Sequence, residues 1–209
     1  PKAVAEPQNP IPDRADNTPK NCIPLDNYYN AALDDNFHMA GLEGNDLASF
    51  PKGKVELAGI TFDARGLVHL NGQQVQANSP IGYPNSVENI VIGRKAKHLH
   101  FLHGAGWPPN DDQTVAKWIV YYNDGTESIR RVRYGKDVAD WWTAPESPAL
   151  SGSQTAWEGE NGATKNSPMS LRLYKTTWNN PHPDKVISAI DYVSSMKDTS
   201  SFLLGITAE

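Results

Sequence analysis

Cysteine is nearly absent from this chain. Cys22 stands alone, which excludes an internal disulfide and any multi-cysteine metal site and leaves the redox compartment unreadable from cysteine usage. Long apolar runs are missing too: no stretch approaches the roughly 20 residues of a membrane-spanning helix, so direct membrane insertion is not expected. Positive charge is not in excess. With 19 Lys+Arg against 24 Asp+Glu the net charge is -5, which offers no field to a phosphate backbone, and nucleic acid is not an expected partner. The local signatures of common chemistries are also absent, among them a Gly-x-Ser-x-Gly elbow, a His-Glu-x-x-His zinc motif and a Gly-x-x-x-x-Gly-Lys-Ser/Thr phosphate loop. Glycosidases and polysaccharide lyases escape that filter, because their carboxylates, or Tyr, His and Arg, are scattered in sequence. Arg172, Tyr174 and His182 could form such a group; equally, Arg172 could pair with a carboxylate while Tyr174 packs.

What is present is β-like. The 209 residues suffice for one sizeable core, and no charged or Gly/Ser-rich linker interrupts the middle of the chain, so residues 25–209 are expected to form a single domain. Residues 1–24 differ: six prolines among polar residues favour extended backbone, as in a tether or a wrapped arm without regular structure. The start at Pro1, with no signal-peptide pattern, is what a mature form or an excised domain would show. Leu25 to His38 fits a short helix or an edge strand. From Val55 the period shortens to two, and HLHFLHG, from His98 to Gly104, reads as a strand covered on both faces, with Leu99, Phe101 and His103 on one side and His98, His100 and Leu102 on the other. Trp118, Val120 and Tyr122 alternate with Ile119 and Tyr121. Asn123-Asp124-Gly125 then supplies the positive φ of a tight hairpin, with a returning strand from about Ser128. Leu171 and Leu173 form a core-facing row, leaving Arg172, Tyr174, Thr176 and Trp178 on the opposite, polar and aromatic face. Short strands separated by Gly-, Pro-, Asn- and Asp-rich loops predict an all-β antiparallel sandwich.

Metal readings have partial support. His98 and His100 share a strand face, but no cysteine or carboxylate lies nearby in sequence to complete a zinc or copper set. Asp34, Asp35, Asn45, Asp46, Asp111 and Asp112 offer the hard oxygen ligands that a structural calcium would take from loops, although they match no helix-loop-helix calcium motif.

Six tryptophans are the other resource. Trp107 sits in GAGWPPND, Trp141 and Trp142 in DVADWWTAP, Trp157 in TAWEGEN, and Trp178 just before NNPHP. The axial C–H face of a sugar packs on an indole, while Asn, Asp, Arg and His satisfy its hydroxyls. Taken singly, each tryptophan is better suited to core packing than to ligand contact, and of the Trp141–Trp142 pair only one is expected to be exposed. The candidate ligand-binding set is His103, Trp107, Trp141, Arg172, Tyr174, Trp178 and Asn180.

In order along the chain, YYN, LAGITFDARGLVHL, LHFLHG, YYNDGTESI, YGKDVADWW, AWEGEN, LRLYKTTWNNPHPDKVISAIDYVS and FLLGITAE resemble an uncharacterised family of bacterial domains, over roughly residues 25 to 209. The resemblance implies an extracytoplasmic jelly roll of the galactose-binding type, secreted, periplasmic or on the cell surface, within a larger parent protein that carries a membrane anchor or regulatory or sugar-active domains. It transfers no catalytic residue. The function expected on these grounds is a non-catalytic carbohydrate-binding module whose partner is a glycan or polysaccharide. The alternatives are a protein-interaction or sensory ectodomain without sugar binding, and a carbohydrate-active enzyme.

Overall fold

The computed structural model describes residues 2–39, 41–109 and 113–209. Strand accounts for 46% of it and helix for 3%, and the main sheets are antiparallel, so the chain is an all-β sandwich. No helix among the described residues is long and apolar enough to cross a membrane.

The strands run β1 (Ala3–Val4), β2 (Ala31–Ala32), β3 (Gly53–Leu57), β4 (Ile60–Ala64), β5 (Gly66–His69), then helix α1 (Gln73–Asn78) and β6 (Ile81–Gly82). They continue as β7 (Ser86–Arg94), β8 (His98–Gly106), β9 (Thr114–Tyr122), β10 (Glu127–Arg133) and β11 (Trp142–Thr143). The last four are β12 (Gln154–Gly159), β13 (Ser170–Asn179), β14 (Ile187–Ser194) and β15 (Ser200–Ala208). One sheet has the order β10-β9-β14-β7, and the other the order β11-β13-β8-β15-β5-β2 with β12 also on β13.

Period-two sequence sets the first sheet. Trp118, Val120 and Tyr122 of β9, with Ile190 and Tyr192 of β14, point inward against Leu99 and Phe101 of β8 and Leu203 and Ile206 of β15. Phe101 lies flat on Trp118, with ring centroids 3.6 Å apart and planes at 6°. The larger sheet is enclosed on its far side as well. There Leu102, Leu171, Leu173, Phe202 and Leu204 meet Leu33, Phe37, Leu47 and Phe50 from the segment between β2 and β3, and Phe62 and Ala64 of β4. The expectation of a two-faced strand at HLHFLHG is met, since Leu99 to Gly106 are all buried.

The segment from Leu25 resolves as an edge strand, β2, pairing with β5. The proline-rich arm is a wrapped arm. Contrary to the expectation of no regular structure there, Ala3–Val4 pair in parallel with Ile81–Gly82, a short strand in no other sheet among the described residues, and Lys2 fastens the pair by donating to the Gln76 and Ser79 carbonyls. Farther on, Cys22 bridges Thr207 at the end of β15. Buried polar groups clamp the arm. The Asp35 carboxylate accepts the N–H groups of Gln8, Asn9 and Ala32, and Asp63, 1% exposed, accepts from Arg14 at 2.6 Å and from Arg65. Arg65 in turn donates to Asp26 and to the Pro12 carbonyl.

Between β9 and β10 the turn falls where expected. Gly125 has φ +83°, its N–H donates to the Tyr122 carbonyl at 3.0 Å, and the Tyr122 N–H donates to Thr126 O at 2.9 Å. A Cβ at Gly125 would meet nothing within 4 Å, so a substitution there is penalised by backbone strain alone. Gly125→Val is expected to lower stability by about 1 kcal/mol or more, read as a shifted denaturation midpoint. A midpoint equal to that of the wild type would contradict the turn.

Candidate functional site

At the end of the larger sheet where β8 runs out, the chain from Gly106 to Trp107 meets the β2–β3 segment and the DWW segment before β11. Together they enclose a cleft of about 230 Å³ lined by His38, Met39, Leu42, Asn45, Trp107, Asp140, Trp141 and Trp142. A depression of about 360 Å³ elsewhere, lined by Ser151 to Gln154, Lys175 and Thr177, contains no aromatic ring, and its lysine donates to the Ala58 carbonyl at 2.7 Å. The aromatic cleft is therefore the better candidate.

Asp140 organises it. One carboxylate oxygen accepts the Trp107 N–H at 3.1 Å and the other the Trp142 N–H at 2.9 Å, so one side chain ties together the two tryptophan-bearing segments. Burial away from any cation pushes its carboxyl up to about 6, against the smaller opposing effect of those two N–H groups. Trp107 is held at φ +65°, a conformation unusual for a bulky residue. Its carbonyl accepts from Thr199 Oγ1 at 2.6 Å, which with Asp140 fixes the peptide on both sides. Trp141 is 1% exposed, wedged against Phe37 with ring centroids 5.1 Å apart, and forms the floor. Trp142 is half-buried and donates its indole N–H to Asn45 Oδ1 at 3.0 Å.

His38 forms the back wall. Its ring stacks on Trp107 at a centroid distance of 5.6 Å, and its Nδ1 shares a hydrogen with His69 Nε2 at 3.2 Å. Burial drives its basicity down to about 3, and that of His69 well below the ordinary range, so both imidazoles stay neutral. The ring fits only because Gly106 has no side chain: a Cβ there would lie 1.9 Å from His38 Nε2. Three buried ring nitrogens here, His38 Nε2, His69 Nδ1 and Trp107 Nε1, have no partner among the described residues.

The expected site residues divide. Trp107 and Trp141 line the cleft, but the remaining five lie elsewhere. His103 is fully buried in the sandwich, bonded to Thr176 Oγ1 at 2.7 Å. Tyr174 and Trp178, 2% and 8% exposed, belong to the same interior. The reason is that the larger sheet buries both faces, so the polar-aromatic face of β13 is a core face. Arg172 pairs with Glu158 at 2.7 Å, and Asn180 is consumed by Tyr122 Oη, the His182 N–H and the Ala96 carbonyl. Trp178 pairs with Leu99 while Trp107 follows the far end of the same strand; eight residues at about 3.3 Å each separate them by roughly 26 Å, so the two cannot share one sugar. Of the tryptophan pair, Trp142 is the more exposed.

Sequence reasoning missed His38, Asn45, Asp140 and Trp142 as site members. The signal available was an acidic residue directly before two tryptophans; His38 and Asn45 are brought in only by tertiary contact. The calcium candidates have other tasks: Asp35 holds the arm, Asp34 pairs with Lys52 at 2.8 Å, Asn45 accepts from Trp142, and Asp46 accepts from the Ala48 N–H. Asp111 and Asp112 lie outside the described residues. No cluster of three His, Cys, Asp or Glu suited to a metal occurs among the described residues; His98 bonds Asn179, and His100 bonds Thr177 and Glu209. No protein-family model matches the chain, and no curated protein is significantly similar to it.

The neutral imidazoles make stability depend on pH. His103 is held down to about 4 by burial, alongside His38 and His69. Below about pH 6.5 the unfolded chain takes up protons on these rings and the folded chain does not, so stability is full above that pH and drains as it falls. Asp140 acts in the opposite sense between about 4 and 6, because the folded state binds its proton first. Three rings outweigh one carboxyl. The melting temperature is expected to fall on acidification from neutrality to about pH 4.5, and to fall less steeply in His69→Phe. A melting temperature that rises over this range would contradict the assignment. Separately, Gly106→Ala is expected to cost about 1–3 kcal/mol by overpacking, measured by denaturation.

Proposed function

We propose that this domain is a non-catalytic carbohydrate-binding module, a galactose-binding-type jelly roll on an exported bacterial protein, and that the aromatic cleft is its glycan site. The observation that carries this reading is the convergence of Trp107, Trp141 and Trp142 on one cleft with Asn45, Asp140 and His38 between them. Indole surface for the C–H face of a sugar and a few directed polar groups for its hydroxyls are the two requirements of such a site. At about 230 Å³ the cleft is smaller than the roughly 300–1,000 Å³ of drug-sized sites, which suits one ring at a chain end better than a polysaccharide stretch.

The alternatives have less support. A glycosidase needs two carboxyl groups about the bond it cleaves, and Asp140 is the single carboxylate among the described lining residues. An interaction ectodomain would need a contiguous exposed apolar patch. The large exposed apolar residues of the four-stranded sheet, Val91 and Ile129, stand on its opposite outer strands, with Asp191 of β14 between.

A glycan-array screen followed by calorimetry tests the proposal. Trp107→Ala is expected to weaken binding by about 1–3 kcal/mol with the fold intact. Trp178→Ala, at the buried end of β13, should instead cost about 3–5 kcal/mol of stability. Unchanged affinity in Trp107→Ala would remove the cleft as the site, and a silent array would remove the function.

A further inference from the structure

The charge around the cleft is one-sided. Among the described residues that line it, Asp140 supplies the one carboxylate and there is neither lysine nor arginine. Of the lining residues, His38 is the one that could have carried a positive charge, and its burial keeps it neutral. Asp140 accepts two backbone N–H groups, and a carboxylate has about four acceptor positions, so two remain. The indoles add to the same preference, since the negative face of tryptophan attracts cations more strongly than any other side-chain ring. A carboxylated or sulfated sugar would meet a carboxylate and indole surface with no lysine or arginine among the described lining residues.

Resting on the glycan reading above, we propose that the ligand is a sugar ring bearing a free ammonium group, an amino sugar at the end of a chain, with the ammonium between the Asp140 carboxylate and the indoles of Trp107 and Trp142. Acetylating the amine would remove the charge and so both attractions, leaving ring stacking alone.

Calorimetry near pH 6.5 at low salt, where Asp140 is mostly ionised and sugar amines retain charge, separates the possibilities. The probes are glucosamine oligosaccharide, its fully N-acetylated counterpart, a glucose oligosaccharide and a uronic-acid oligosaccharide of equal length. The amino form should bind at least ~5-fold more tightly than either neutral form, and the uronic acid most weakly. Asp140→Asn should bring the amino form down to the level of the neutral ones. Because an acidic protein attracts any polycation, Trp107→Ala, which leaves the net charge unchanged, must also lose the preference; if it keeps it, the inference is overturned. Neutral sugars that bind as well as the amino form would overturn the ammonium while leaving the glycan reading in place. If no oligosaccharide binds, or tetramethylammonium binds and no sugar does, both fall.

Discussion

The adjacent strands β8 and β15 carry the molecule. They pair along nearly their whole length, from Ser200–Gly106 to Ala208–Leu99, and apart from half-buried His98 every residue in both is buried. A strand pair with no face toward water cannot alternate apolar with polar, and it must find cover on both sides. The four-stranded sheet covers one side. The other is covered by the irregular chain from Leu25 to Phe50 and by the β3–β4 hairpin, which explains why so much loop is buried and why the arm is fastened by buried carboxylates. Burying Asp63 and Arg65 is costly unless each is fully paired, and here Arg14, Arg65, Asp26 and the Pro12 and Cys22 carbonyls complete the network. The arm is thus part of the cover.

That same constraint decides what was legible in the sequence. Strands with one wet face declared themselves: β9 alternates cleanly, and Asn123-Asp124-Gly125 fixes its hairpin with β10. The two-faced strand at HLHFLHG was legible because apolar residues fall on both of its alternating faces, Leu99 and Phe101 on one and Leu102 on the other. Strand β13 was legible only in part. Arg172, Tyr174, Thr176 and Trp178 looked like an outer face because they are polar and aromatic, yet Thr176 is fully buried, bonded to His103 and to the Asp137 carbonyl, and Trp178 lies in the sandwich core. A satisfied hydroxyl or a buried indole is indistinguishable in sequence from an exposed one. The cleft was half legible: Trp107 and Trp141 were named from loop context, while His38 and Asn45 come from a segment whose position follows only from its burial against the far face of the larger sheet.

The cleft brings together features that the rest of the fold shows separately: positive φ recurs at Ala58, Asn89 and Met196, and unpaired buried ring nitrogens at His103 and Trp118. Trp107 takes a left-handed backbone, Asp140 is desolvated without a cation, and His38 and Trp107 leave ring nitrogens unpaired among the described residues. Elsewhere the buried charges are matched, as Asp137 is by Arg130 and Asp63 by Arg14. Unpaired buried groups lower stability, and they persist where the surrounding structure holds them in place.

Asp140 shows how that holding works. Its two acceptor bonds run to main-chain N–H groups, so the tie between the Trp107 and Trp142 segments needs a carboxylate, with an oxygen facing each way. An asparagine could satisfy one of them, and a lysine or arginine neighbour, which would relieve the desolvation, would also occupy the remaining acceptor positions. Leaving the carboxylate without a cation therefore keeps those positions open toward the cleft. The wall behind it is rigid for the same reason that it is neutral: the His38–His69 pair is packed among Phe37, Tyr83, Trp107 and Phe202 with no room for a counter-ion, and Gly106 admits the ring only in its present place. A cleft whose aromatic wall is fixed by packing and whose one charge is fixed by backbone bonds is preorganised, and a ligand entering it would lose little to reordering of the protein.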